Sequence, residues 1–456
     1  MFKRQIATFL AAILFIALPL STASASALDE AKQYVEQYYV GELTKDLNDI
    51  KTFDQLLEIL DSYSDYFTKD EYNAFFNGVD NTVVGIGVSI INDGNYLVVQ
   101  EVFEGGSAAK VQIQPGDTIL SINGTSAVNM DAEDAVLLIT GKENTAVTLQ
   151  IKNSSGSTVT KTLIRKKLAI PTTHTELLYG NIGYISLNSF SEDAATQVAN
   201  SIKKLQTQGA TKFIFDLRNN GGGYVSAAEK IVGMFPNAKN AYILEEAAGT
   251  SMIRSISQIT KFPENTKVLV NRSSASSSEI TAGALKDQQA AILYGDSTYG
   301  KGSMQTFFNL EDGSYLKLTI GNFYGPSNTE VNDIGVEPNI KTDNALQDAH
   351  LDTILESYSK YKKLSSLTNV PVSKKFTVNF SSTLNDSLQV NTVELIHLGG
   401  QKVEISKELA GNKLIITPKQ PLHPGEQYAL FVHPGIKANS KLVSKKGYYT
   451  IITVAQ

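Results

Sequence analysis

The chain has 456 residues, 42% hydrophobic and 19% charged, a globular composition long enough for about three separate cores. Its net charge of -6 argues against nucleic acid as a partner. The complete lack of cysteine excludes disulfides, a thiol nucleophile and a lipid-bearing cysteine.

The chain opens with Lys3 and Arg4, an apolar run from Ile6 to Leu20, and the small residues "STASASA". This is the layout of a secretory signal peptide over residues 1–27, with cleavage after Ala25 or Ala27. The apolar run falls short of the roughly 20 residues a membrane span needs, and Pro19 interrupts its end. The reading implies an extracytoplasmic chain, secreted or associated with the cell envelope.

Residues 28–81 show helical spacing (Val35, Tyr38, Tyr39; Leu56, Leu57, Leu60) and no proline. Their apolar stripes need a partner, and a self-complementary helical surface predicts a two-fold homodimer. Residues 82–168 change to short alternating strands such as "YLVVQEVF" and "AVTLQIKN", interrupted by one helical piece, "DAEDAVLLIT". Residues 169–366 alternate strands ("IGYISL", "KFIFDLR", "KVLVN", "AILYG") with helical patterns, predicting an α/β core. Residues 367–456 read as an all-β sandwich. The fold class expected is therefore α+β and multidomain.

Chemistry concentrates in "NRSSASSSEITAGALKDQQAAILYGDSTYGKGSMQTFF", residues 271–308. Ser276 and Glu279 form an S-x-x-E capping box at the head of a helix. The preceding "TKVLVNRSSA" places that serine where a buried strand hands over to a helix, among unsatisfied N–H groups. A serine there serves as cap or as nucleophile. "GDSTYGKG" has the G-x-x-x-x-G-K form of a phosphate loop without its Ser or Thr. The residues after Lys301 alternate as a strand, whereas a phosphate loop must open a helix. None of the five histidines (His174, His350, His397, His423, His433) lies in a motif that would orient it towards Ser276. A lysine replaces histidine as a base only when neutral, which burial promotes. The glycines flanking Lys301, with Phe307 and Phe308 beyond, allow dry packing. No metal motif and no cofactor motif is found.

Several motifs resemble known families. "VGIGV" (Val84 to Val88) and "SAAKVQIQPGDTILSINGTS" (Ser107 to Ser126) are similar to a PDZ domain. The resemblance assigns Gly85, Ile86, Gly87 and Val88 to the loop that holds a peptide's C-terminal carboxylate, beside a strand edge that pairs with the peptide. "LDSYSDYF" (Leu60 to Phe67), "DLRNNGGG" (Asp216 to Gly223), the serine cluster, "STYGKGSMQ" and "FYGPSNTEVNDIGVEP" (Phe323 to Pro338) resemble the carboxyl-terminal processing proteases from about residue 28 to 345. These are serine proteases with an inserted PDZ domain and a lysine base. The resemblance implies Ser276 as nucleophile, Lys301 as base, Gln305 as the lysine's assistant, and Gly222 with the Ser277 N–H as oxyanion hole. Ser273 and Ser277 stand where the family more often has Gly and Ala, and Gly221 where proline is common. "LIITPKQPLHPGEQYALFVHPGIK" looks like bacterial Ig-like modules, which implies a spacer or a cell-surface contact. The partners expected are protein or peptide substrates bound by their C-terminal tails. Arg165, on the strand leaving the PDZ segment, is expected to bridge to the protease core and relay peptide binding. The competing reading is a binding protein, PDZ and Ig-like modules on a degenerate protease core.

Overall fold

A computed structural model describes residues 26–456 apart from 94, 95, 104, 131, 154, 155, 382, 384–391, 436, 439, 440 and 443–445. The signal segment expected over residues 1–27 lies outside them up to residue 25. Ser26 is the N-cap of the helix Ala27–Tyr38, its hydroxyl oxygen accepting the Asp29 N–H.

The centre is a six-stranded sheet in the order Thr173–Leu178, Ile182–Leu187, Lys212–Asp216, Lys267–Val270, Ile292–Gly295, Ile340–Lys341. The first pair is antiparallel and the rest are parallel. "KFIFD" and "KVLV" are almost continuously buried rather than alternating, as parallel strands covered on both faces must be. One face packs Phe213, Phe215 and Val268 against the helices Ala194–Thr207, Val225–Val232 and Ser277–Asp287. The opposite face presents Ile182, Ile214, Leu269 and Tyr294 to the helix Ala345–Leu355 and to Ile396, Ala429 and Phe431 of the C-terminal module. A second sheet is built on the long strand Tyr315–Tyr324, flanked by Asp65–Phe67, Asn240–Glu246 and Ser303–Asn309.

The N-terminal segment is less helical than its spacing predicts. Helices form at Ala27–Tyr38, Phe53–Leu57 and Lys69–Val79, but Asp65–Phe67 is a strand paired with Tyr315–Lys317. Its apolar stripe (Ala31, Val35, Leu56, Ile59) is buried on Leu310, Leu316 and Leu318 of this same chain. That cover takes up Val35 and Leu56 of the stripe and leaves Tyr38 exposed.

The PDZ segment is a sheet ordered Val88–Asp93, Tyr96–Val102, Thr118–Ile122, Ala146–Lys152, Thr158–Ile164, packed with the helix Ala132–Ile139 around Leu97, Ile119 and Leu149. It joins the core through an antiparallel ribbon, Thr82–Gly85 with Lys166–Ala169. At the base of the ribbon Ile170 N–H donates to the Asn81 carbonyl and Ser189 Oγ to the Val79 carbonyl. The C-terminal module is a β-sandwich whose larger sheet contains Val393–His397, Gln427–Val432 and Tyr448–Val454.

Candidate active site

The buried strand Lys267–Val270 runs through a turn into the helix Ser277–Asp287, and Ser276 stands at the junction with φ 55° and ψ -113°. A side chain at positive φ costs of the order of 1–3 kcal/mol and persists only where the surroundings impose it. The surroundings are the "NNGGG" turn. Asn220, fully buried, takes the Ala275 N–H and the Ser278 hydroxyl on its carbonyl at 3.0 and 2.8 Å, while its own Nδ2 donates to the Leu187 carbonyl. Gly222, at φ 107°, lies so close that a Cβ there would meet Ser276 Cβ at 2.9 Å and Ser277 N at 3.1 Å. Only glycine fits. Asn220 was not singled out from the sequence, although "DLRNN" was; nothing local reveals that its carbonyl reaches across to another turn.

The serine cluster separates by environment. Ser274, Ser277 and Ser278 are fully buried and donate their hydroxyls to the carbonyls of Leu217, Gly223 and Asn220. Ser276, on the same turn, is half-buried. The Ser277 N–H has no acceptor among the described residues. The Gly222 N–H, the other group assigned to the oxyanion hole, donates to Asn220 Oδ1 at 2.9 Å.

Glu279 does more than the capping box foresees. Fully buried, it accepts the Ser276 N–H at 2.8 Å and the Lys301 N–H at 2.9 Å on one oxygen. The other oxygen accepts the Gly300 N–H at 2.6 Å and the Thr298 hydroxyl at 2.7 Å. One carboxylate thus fixes the serine turn and the lysine loop to each other. Burial, followed by the nearby Lys317 ammonium, pulls the Lys301 amine down from its ordinary range to about 8, against the opposing pull of Glu279 and Asp61. At neutral pH roughly one amine in ten is then neutral, against one in a few thousand for an unperturbed lysine.

Backbones are assembled here, but the side chains of the expected dyad are not joined. Among the described residues no hydrogen bond links Ser276 Oγ to Lys301 Nζ. The amine instead sits 5.0 Å over the ring of Tyr63. Gln305, beside a β-bulge at Met304/Gln305, donates from Nε2 to Ser303 Oγ at 3.0 Å and Thr319 Oγ1 at 3.1 Å rather than reaching Lys301. Tyr63 lies within "LDSYSDYF", a stretch in which nothing local reveals this contact.

In the PDZ segment Ile86 is buried and Gly87, at φ 83°, lies against Gly106, where a Cβ would come within 2.8 Å of its Cα. The Ile86 and Gly87 carbonyls are held by the Ala108 and Phe103 N–H groups, which shapes the loop. Val88 opens the edge strand Val88–Asp93, paired on one side only among the described residues. Arg165 corrects the sequence reading. It is buried and its forked donors do grip carbonyls, those of Leu138, Ile139 and Ala146 at 2.8 Å, with Thr145 Oγ1 at 3.1 Å. All four belong to the PDZ segment, so the arginine closes that segment's helix and, among the described residues, is hydrogen-bonded to no core group. Among the described residues no cluster of three or more His, Asp and Glu suited to a metal occurs.

Comparison with known proteins places this arrangement. The chain is 32% identical over 317 residues to the carboxy-terminal processing protease CtpA of Bacillus subtilis (strain 168), covering 69% of this chain and 67% of that protein. The chain belongs to the carboxyl-terminal processing proteases. A peptidase family S41 pattern matches residues 181–342 of this protease, a PDZ pattern residues 77–152, and a bacterial Ig-like pattern residues 364–450. A probable CtpA-like serine protease of Staphylococcus aureus (strain COL) is 32% identical over 289 residues, 63% of this chain and 58% of that protein. Among solved structures, the photosystem II D1 C-terminal processing protease is 24% identical, with 72% of this chain and 96% of that one covered and a TM-score of 0.46.

Proposed function

We propose that this protease is an exported endopeptidase in which Ser276 Oγ attacks the scissile carbonyl and Lys301 Nζ, in its neutral form, takes the proton. The tetrahedral oxyanion is received by the Ser277 N–H and, once it leaves Asn220, by the Gly222 N–H. The lysine then returns its proton to the leaving amine, and a water activated by the same amine releases the acyl group. Gln305 orients the amine after turning from Thr319. The PDZ loop Gly85–Val88 receives the C-terminal carboxylate of a substrate, whose tail adds to the Val88–Asp93 edge. The observation that carries the reading is the single buried carboxylate of Glu279, which fixes the strained, half-exposed Ser276 and the Lys301 loop to each other. A binding protein on an inert core has no use for a strained serine beside a lysine of lowered basicity.

The test is hydrolysis of an unfolded reporter protein by the mature chain. Ser276→Ala and Lys301→Ala each abolish turnover, and the double variant is no worse, because nucleophile and base act as a unit. Loss of turnover in Ser274→Ala or Ser278→Ala with Ser276→Ala active would transfer the role elsewhere. For export, the N-terminus of the secreted protein is read by mass spectrometry. Cleavage after Ala25 is expected, since cleavage after Ala27 would remove the Ser26 cap.

A further inference from the structure

The Lys301 ammonium has three donors and, among the described residues, no hydrogen-bond acceptor. The amine lies over the face of Tyr63, 5.0 Å from Nζ to ring centroid. That is within the roughly 6 Å at which an aromatic quadrupole attracts a cation. The ring is itself held by a built turn. Asp61 Oδ1 accepts the N–H groups of Tyr63 and Ser64 at 2.8 and 2.9 Å. The Asp61 N–H donates to the Tyr39 hydroxyl, and Ser64 Oγ accepts the Thr319 N–H at 3.1 Å. Burial, followed by neighbouring Tyr299, pushes the Tyr63 hydroxyl up from its ordinary range, and Tyr299 stands two residues before Lys301. The N-terminal segment thus delivers one aromatic face to the amine. The same strand that provides Thr319 also provides Lys317, whose Nζ lies 5.5 Å over the ring of Phe75.

We propose that Tyr63 is a positioning residue, its ring the seat on which the protonated Lys301 amine rests away from Ser276. The attraction depends on charge. An ammonium is held by the ring face; a neutral amine is not, and is released towards the serine. Tyr63 therefore couples where the lysine is to whether it is a base. The charged groups around the amine are Asp61 on the Tyr63 turn, Glu279 on the helix Ser277–Asp287 and Lys317 on the strand Tyr315–Tyr324. The two carboxylates stabilise the cation and Lys317 opposes it, and none of the three donates to or accepts from Nζ among the described residues.

The proposal rests on Lys301 being the base only for its catalytic consequence, so the experiment reads the amine directly. In full-length mature protein carrying Ser276→Ala, Lys301 is acetylated with trace acetic anhydride across pH 6 to 11, and the modified peptide is quantified by mass spectrometry. Replacing the ring with an apolar side chain, Tyr63→Leu, should lower the midpoint of Lys301 labelling by about half a unit to one unit, because the cation loses its seat. Tyr63→Phe keeps the face and loses only the hydroxyl, so its midpoint should stay with the parent. An unchanged or raised midpoint in Tyr63→Leu would show that the ring only excludes water, and overturns the proposal. An equal shift in Tyr63→Phe would assign the effect to the hydroxyl and overturns it too. Tyr63→Met serves as the second variant if the leucine form unfolds. The same substitutions with Ser276 intact separate the two readings: the acid limb of kcat/KM follows the labelling shift if Lys301 is the base. A labelling shift without a limb shift keeps the seat and rejects the base.

Discussion

Glu279 sets what a single substitution can do at this site. Its two oxygens serve four donors from two segments, and the Ser276 and Lys301 N–H groups converge on the same oxygen. Glu279→Gln replaces one oxygen with a donor, so at least two of those groups lose their acceptor and face an N–H instead. The expected result is a loss of about 3 kcal/mol in stability, read by denaturant unfolding, with kcat falling more than KM rises. The lysine gives the pH dependence. With its amine at about 8 rather than 10.5, kcat/KM should rise from pH 6 and level off above about pH 8. Burial of the cation also costs stability, and the sign is fixed by linkage: the folded state binds fewer protons than the unfolded one between 8 and 10.5, so stability increases with pH across that window. A rate that falls through this range would point to a different base. The strand-to-helix junction and the cap of Ser276 with Glu279 were legible in the sequence because strand and cap signals are local. The second oxygen of Glu279 was not, since its partners Thr298 and Gly300 lie 19 and 21 residues away. Only folding brings them to it.

Elements at the junction of the PDZ segment show where local reading fails. Arg165 was legible as an arginine that would use a forked donor set on carbonyls, but the sequence does not say which carbonyls. Its neighbours Lys166 and Lys167 pair with Gly85 and Val84 in the ribbon, so the chain reverses there. The guanidinium falls back on the end of the helix Ala132–Ile139, against Gly141, where a Cβ would come within 3.2 Å of Arg165 Nε. Arg165→Ala strands the carbonyls of Leu138, Ile139 and Ala146 and should destabilise the PDZ segment by about 3 kcal/mol. Arg165→Lys retains charge but not the fork, and should recover less than half of that. Hydrogen exchange confined to residues 82–169 is the readout. Exchange that rises equally in the core would instead mean that Arg165 supports the whole molecule. The N-terminal segment failed in the opposite way: helical spacing was real in Ala27–Tyr38, but "DYF" became a strand because the exposed edge of Tyr315–Lys317 offered a ladder.

At the scale of the molecule, the C-terminal module is fused to the protease rather than suspended from it. Along Val393–His397 and Gln427–Val432 successive residues point to opposite faces, and both faces are buried. Val393, Leu395, Tyr428 and Leu430 fill the sandwich, whereas Ile396, Ala429 and Phe431 pack on Ile182, Leu269 and Tyr294 of the core sheet. The near-continuous apolar runs "VELIHL" and "YALFV" carried that signal, since a sandwich strand open to water on one side alternates. Polar contacts finish the seam. His350, fully buried, takes the Gly399 N–H on Nδ1 at 2.8 Å and directs Nε2 to the Tyr179 carbonyl at 2.9 Å. Glu394 binds the Tyr179 hydroxyl, Lys402 and His433. Burial pulls His350 down from 6.5 to about 4. For Glu394 burial pushes upwards, but the hydrogen bonds from His433, Lys402 and Tyr179 outweigh it and hold the group at about 2. Both shifts have the same consequence. The His350 contribution is complete above pH 6.5 and is lost as pH falls towards 4; that of Glu394 is complete above 4.5 and is lost towards 2. A free spacer would allow its removal without cost. Here a chain ending at residue 360 uncovers Ile182, Leu269 and Tyr294 and should lose on the order of 5 kcal/mol, with a lower Tm and peptidase activity that decays on storage. His350→Gln should remove the acid sensitivity between pH 6.5 and 4, worth about 3 kcal/mol at the lower end, while leaving the melting temperature at pH 8 less affected. A truncated chain that melts with the full-length protein would show that the module is only tethered, and the seam would then contribute nothing to holding the catalytic sheet.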